Sequence, residues 1–289
     1  MTMTRFIQLG IAAAAATAMT FSAQAADMPV KAAVPAASLG WTGFYLGVNT
    51  GGSIGADSTT QTATFSSTAL GANTLLDSSG RYNPIGWVAG GQIGYNWQVS
   101  SFVVGLEADW QWSLQKDSRN DCTSPASTAF FGAGASGFGY CLSGEQKITN
   151  FGTARARAGV DRHGDFWYLT GGLAWGTVKE RDSFVGSAST TIFPGALQPG
   201  PFLPGVASIS TTRIGWTLGA GVETMIVGRW SAKLEYLYVD LGSISNTVPI
   251  VINPAFGAAF TTGGVASATS TSHVRDNIVR LGLNYRFGE

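Results

Sequence analysis

From about residue 41 the chain is built of short runs in which apolar and polar residues alternate. In Val279-Arg280-Leu281-Gly282-Leu283-Asn284-Tyr285-Arg286-Phe287 one parity is wholly apolar and the other polar or bare. That period of two belongs to a β-strand with two unlike faces. Phe44, Leu46 and Val48 alternate in the same way with Tyr45, Gly47 and Asn49. Between these two segments lie six more strands, over roughly 87–97, 102–114, 148–160, 167–175, 214–222 and 230–238. Ile148 shares its parity with Ala154, Ala156, Ala158 and Val160, opposite Thr153, Arg155 and Arg157. Short turns are predicted near 99–101, 161–165 and 227–229. Polar Ser/Thr/Gly-rich stretches at about 54–83, 115–146, 181–212 and 242–272 read as long loops. Long and short connections alternate, so eight antiparallel up-and-down strands follow, with the last closing against 44–50.

Each face needs a solvent. A transmembrane barrel puts lipid outside and polar groups in its lumen, and joins its strands by short periplasmic turns and longer outer loops. The tryptophans favour it, because amphipathic rings settle at the two interfaces. Trp97, Trp167, Trp230 and Phe287 fall at the short-turn end, and Trp87, Trp112, Trp175 and Trp216 at the long-loop end, as two girdles. Trp41 has the wrong parity for the outer face. On the opposite parity Glu107, Asp109, Glu223 and Glu235 share the expected lumen with Arg155, Arg157, Lys233, Arg280 and Arg286. Pairing is expected between Glu107/Asp109 and Arg155/Arg157, and between Lys233 and both Glu223 and Glu235. Eight strands leave room for side chains rather than a wide channel, so an ion-paired plug is expected. A soluble barrel with the apolar face inward would crowd the tryptophans into a small interior.

Composition agrees with that choice. Only 12% of residues are charged, and formal net charge is zero, which leaves no basic footprint for nucleic acid. Arg5, an apolar 6–19 and Ala23-Gln24-Ala25 form a secretory leader over 1–25, followed by a flexible periplasmic segment, 26–40, and the barrel, 41–289. No later apolar run is long enough for a transmembrane helix. Both termini are expected to be periplasmic.

Candidate chemistry is sparse. Export places Cys122 and Cys141, the two cysteines of the chain, in an oxidising compartment, where a disulfide is expected. No metal site and no cofactor are expected. The G-x-G-x-x-G match at 132–137 lacks its βαβ context. Gly51-Gly52-Ser53-Ile54-Gly55 matches G-x-S-x-G, and strand closure brings Ser53 toward His273, with Asp57 or Asp276 nearby. Parity puts Ser53 on the lumen side and His273 on the lipid side, so the lipid-modifying hydrolase is the weakest reading and no enzyme is expected.

The strands carry Trp41-Thr42-Gly43-Phe44-Tyr45-Leu46-Gly47, 152–159 (GTARARAG), 170–174 (TGGLA), 215–223 (GWTLGAGVE), 235–240 (EYLYVD) and the terminal strand. In these motifs the chain resembles small outer-membrane β-barrel proteins of alphaproteobacteria, called outer-membrane immunogenic or porin-family proteins. The resemblance implies an abundant outer-membrane surface barrel among outer-membrane lipids and lipopolysaccharide. Its roles would be envelope integrity, host or surface contact through the loops, or narrow porin-like passage of ions or small solutes. It also implies assembly by the barrel assembly machinery through a terminal aromatic, here Phe287, beyond which Gly288 and Glu289 extend.

Overall fold

Alternation at period two commits nearly every described residue to strand. The computed structural model describes residues 40–122, 140–186, 202–254 and 258–287. The expected leader, the segment up to residue 39, the glycine run at 132–137 and Gly288-Glu289 lie outside them. In chain order the strands are β1 (Gly43–Gly55), β2 (Asp57–Ser67), β3 (Gly71–Tyr82), β4 (Ile85–Val99), β5 (Phe102–Cys122), β6 (Tyr140–Arg162), β7 (Asp165–Gly186), β8 (Gly205–Val227), β9 (Trp230–Ile250) and β10 (Val265–Arg286). A single turn of helix, α1 (Ala258–Thr261), precedes β10.

β1, β4, β5, β6, β7, β8, β9 and β10 hydrogen-bond in that order, all antiparallel, and β1 closes the ring against β10 from Tyr45 opposite Arg286 to Gly55 opposite Asp276. The short turns sit where glycine or a left-handed residue allows them. His163 and Gly164 both have positive φ, 58° and 91°, as a two-residue hairpin turn requires, and Asp161 accepts the Gly164 N–H at 3.1 Å.

The segments expected as long loops are mostly strand. β2 and β3 fill most of 54–83, β5 runs to Cys122, β6 starts at Tyr140, β7 ends at Gly186, β8 starts at Gly205, β9 ends at Ile250 and β10 starts at Val265. β1 passes through Ala56 into β2. β3 meets β4 at Asn83-Pro84, where proline has no N–H for the ladder. β6 and β8 reach 23 residues each, about twice what a strand needs to cross a bilayer.

Beyond the ring the wall divides. The β4/β5 ladder ends at Ile85 opposite Lys116, and the β8/β9 ladder ends at Trp216 opposite Asp240. Above those levels the outer parts of β5, β6, β7 and β8 form one sheet, and those of β9 and β10 form another with β2 and β3. Phe65, Leu76, Leu142, Phe184, Phe202 and Val248 meet between them as an apolar core. The molecule is thus a ring at the turn end and a two-sheet sandwich at the far end.

One difference from the sequence reading concerns Ile148. A bulge between Ile148 and Asn150 inserts an extra residue, so Ile148 faces inward, 2% exposed, although Ala154 and Ala156 on the same parity face outward. Gly242, at φ 74°, does the same for β9: inward positions are odd up to Leu241 and even from Ile244.

Candidate functional site

Inside the ring, inward parity brings charged side chains from β5, β6, β8, β9 and β10 to one level. Glu107 is the hub. It is reached by Arg155, by Lys233 at 2.9 Å, by Arg157 at 3.3 Å and by Arg280 at 3.6 Å. Asp109 accepts from Arg155 at 3.0 Å and from Arg280 at 2.9 Å. Glu235 lies 2.6 Å from Arg280 and 3.1 Å from Arg155, and Glu223 lies 3.1 Å from Arg157. Four acids thus face four bases. None of these residues is more than 5% exposed.

One pairing differs from those expected along the wall, that of Lys233 with Glu223. Lys233 crosses the lumen to Glu107 and is 3.8 Å from Glu235, while Glu223 takes Arg157 together with the Ser231 hydroxyl and the Asn284 amide. An eight-stranded ring is narrow enough for long side chains to span it, so the partner across the lumen competes with the neighbour along the wall. Arg286 lies nearer the turn end, over the Trp41 ring at 4.8 Å.

Neutral partners complete the layer, and sequence reasoning did not single them out. Tyr45 donates to Glu107 at 2.7 Å, Tyr168 donates to Glu235 at 2.8 Å, and Arg157 lies over the Tyr45 ring at 4.5 Å. Glycine makes room for them. A Cβ on Gly94 would sit 2.1 Å from the Tyr45 hydroxyl, and one on Gly221 2.6 Å from that of Tyr168. The signal was present in the inward parity of both tyrosines.

Other layers stack on either side. Toward the turn end Trp41, fully buried, packs with Val103, Phe166 and Tyr168. On the far side an apolar layer contains Val88, Phe151, Val178, Leu237, Val239 and Ile278. Above it sits an acidic chamber. Glu180 accepts from Ser270 and Ser272 at 3.2 and 3.1 Å, and Asp182 accepts from Asn246 at 2.8 Å. Burial pushes the Glu180 carboxyl up to about 7, that of Asp182 up to about 6 and that of Asp57 up to about 8. Burial also raises the Tyr82 hydroxyl, helped by the neighbouring Asp182 and Glu180. Cys122 and Cys141 form a disulfide at the far end of the β5/β6 ladder.

The outer wall of the ring is apolar. Trp97, Trp167, Trp230 and Phe287 face outward near the turn end, and Trp87, Trp112, Trp175 and Trp216 face outward near the sandwich. Leu46, Val48, Leu106, Leu169, Leu218 and Leu281 are exposed between them. Ser53 points inward, where it contacts Asp276 and accepts from Gln115 at 2.7 Å. His273 points outward, 3.2 Å from Ser243 and 3.0 Å from Asp240. The fold therefore does not bring Ser53 and His273 together. Among the described residues no group of three or more His, Cys, Asp or Glu side chains is arranged to hold a metal ion.

A closed ring of antiparallel strands with an apolar outer band and a charged interior is what a membrane barrel requires. A family model described as the outer membrane protein beta-barrel domain matches residues 12–287. The chain belongs to that family. As an outer-membrane barrel it is 35% identical over 286 residues to the 31 kDa outer-membrane immunogenic protein of Brucella melitensis biotype 1, covering 96% of this chain and 98% of that one. It is 29% identical over 221 residues to a 22 kDa outer membrane protein of Rhizobium leguminosarum bv. viciae, covering 76% and 71%. Among solved structures, Neisserial surface protein A aligns over 85% of this chain and 98% of its own at 14% identity, with a TM-score of 0.32. The fold assignment rests on the strand pairing and the family match.

Proposed function

We propose that this outer-membrane β-barrel is a structural and surface-interaction protein of the envelope. Its lumen is plugged by ion pairs, both termini are periplasmic, and the two-sheet sandwich projects outward. The observation that carries this reading is the stacking of buried layers across the ring. The Trp41 layer, the charge layer and the apolar layer follow one another, and Arg280 and Lys233 within them are 0% and 1% exposed. A charge layer closed above and below offers no water column for solutes. The girdle residues match the two interfaces of a bilayer, and the polar sandwich faces water, where host or surface ligands meet it. Outer-membrane lipids, lipopolysaccharide and the barrel assembly machinery are the partners this placement implies, and the reading calls on no catalytic group or cofactor.

Planar-bilayer recording tests it. The purified protein is expected to be electrically silent, and so is the variant in which Glu107 and Arg155 are both replaced by alanine, because the Trp41 and apolar layers still close the ring on either side. Steady currents from the unaltered protein, changed in selectivity by the same substitutions, would establish the narrow porin-like channel instead.

A further inference from the structure

The outer face of the β5–β8 sheet carries an unusual row. Lys116 stands opposite Lys147 in the β5/β6 register, and Lys147 stands opposite Lys179 in the β6/β7 register. Two residues farther out, Arg181 stands opposite Glu145. Like charges directly opposite one another on adjacent strands repel, so such a row persists only where something compensates it. Glu145 compensates two members, at 2.9 Å from Lys116 and 2.6 Å from Lys147. Among the described residues neither Lys179 nor Arg181 has an acidic partner. One acid among four bases leaves the patch strongly positive.

Shape and height narrow the ligand. Lys147, Lys179 and Arg181 line a groove of about 430 Å³ with Ser208 and Ser210; Glu145, already held by Lys116 and Lys147, and the buried Glu180 also border it. Lys116 lies four residues beyond Trp112, and Lys179 four beyond Trp175. At about 3.3 Å per residue, shortened by strand tilt, the ammonium groups stand roughly 10 Å above the aromatic girdle, at headgroup depth. The other sheet differs. At comparable height its outer face pairs hydroxyls, Ser245 with Thr271 at 3.0 Å and Thr247 with Thr269 at 3.1 Å. A general attraction to an anionic surface would not need one basic wall and one neutral wall.

We propose that Lys147, Lys179 and Arg181, with Lys116 at their flank, form a binding site for the phosphate groups of a phosphorylated glycolipid of the outer leaflet. The serines of the groove donate to the sugar or phosphate oxygens, and the acyl chains descend along the outward-facing Trp112, Trp175 and Trp216 surface. The site rests on the barrel standing in the outer membrane with its sandwich outward.

The test uses the full mature protein folded in detergent micelles, with purified bisphosphorylated lipid A and enzymatically dephosphorylated lipid A as probes, read by native mass spectrometry. The unaltered protein is expected to bind the phosphorylated lipid at least tenfold more tightly. Combined Lys147→Gln, Lys179→Gln and Arg181→Gln is expected to erase that preference while the mobility shift between boiled and unboiled samples persists. Equal binding of the two lipids by the unaltered protein, retention of the preference by the triple variant, or displacement by an equal concentration of inorganic phosphate would each overturn the site. Absence of the mobility shift in the unaltered protein would instead remove the barrel reading on which the site stands.

Discussion

The ring and the sandwich are made from the same continuous strands, yet their insides and outsides are exchanged. β7 shows this without any bulge. Its outward positions run Trp167, Leu169, Gly171, Leu173, Trp175 and then Thr177, Lys179, Arg181, Ser183, while its inward positions run through Tyr168 and Thr170 to Ala174 and Val178, then the chamber acids Glu180 and Asp182, and finally Phe184. Parity is constant, while the outward face turns from apolar to polar and the inward face ends in the sandwich core. The ring has an apolar outer band and a buried charge layer within; the sandwich has a polar outer face and, at its far end, a core of Phe, Leu and Val. The lesson is that strand alternation records which residues share a face, and the identity of the apolar face depends on what lies outside at that height.

The contrast is broken first by attacking the charge layer. Glu107→Ala leaves Lys233, Arg157 and Arg155 without their shared acid, and stranding a buried charge costs about 4 kcal/mol. Denaturant titration of tryptophan fluorescence in micelles is expected to show that loss; a change below about 1 kcal/mol would mean that the layer is not what holds the ring.

Phe184→Ala attacks the opposite half and is expected to cost about 3 to 4 kcal/mol, because it opens a cavity in the sandwich core. Hydrogen exchange should accelerate over 140–148 and 177–186 while the ring amides stay protected. Equal acceleration in both halves would make the two regions one cooperative unit and end the distinction. Replacing Cys122 and Cys141 by serine is expected to cost about 3 kcal/mol, for a sequence separation of 19, and to loosen the same outer β5/β6 ladder.

The smallest effect is one of pH. Glu180 and Asp182 have folded pKa values raised by burial, to about 7 and about 6. A raised carboxyl contributes stability that is fully present below its unfolded value, near 4, and is lost as pH rises through the folded value. The sandwich should therefore weaken between about pH 4 and pH 8. Glu180→Gln should remove about 2 kcal/mol of that slope, measured as the change in outer-strand exchange between pH 5 and pH 9. A sandwich that grows firmer toward alkaline pH would show that these acids are paired rather than buried neutral.

Much of the ring is legible from residues alone. Leu281 and Leu283 against Arg280 and Asn284 define a two-faced strand wherever they are placed, and Glu107 shares a parity with Asp109 as Arg155 does with Arg157. The sandwich is not legible in that way. In β2 the inward residues are Asp57, Thr59, Gln61, Ala63, Phe65 and Ser67 among outward Ser and Thr, so two apolar side chains carry the core-facing signal and the stretch resembles a polar loop. The buried core residues come from β2, β3, β6, β7, β9 and β10, with Phe202 ahead of β8, and no strand supplies more than two of them. The Lys116, Lys147 and Lys179 row is equally silent in sequence, because it exists only across strands in register.

What the sequence by itself determined is the alternation, the strand count of the ring, the outward tryptophans and the charges of the ring's buried layer. These follow from the local geometry of an extended chain, in which every second side chain lies on one face. Only the tertiary structure decided that Lys233 reaches across to Glu107, that Ile148 turns inward at a bulge, that the strands continue into a split sandwich, and that three lysines align on its outer wall. Those features depend on register and on the width of a closed ring, which relate residues far apart in the chain and leave no period within any one strand.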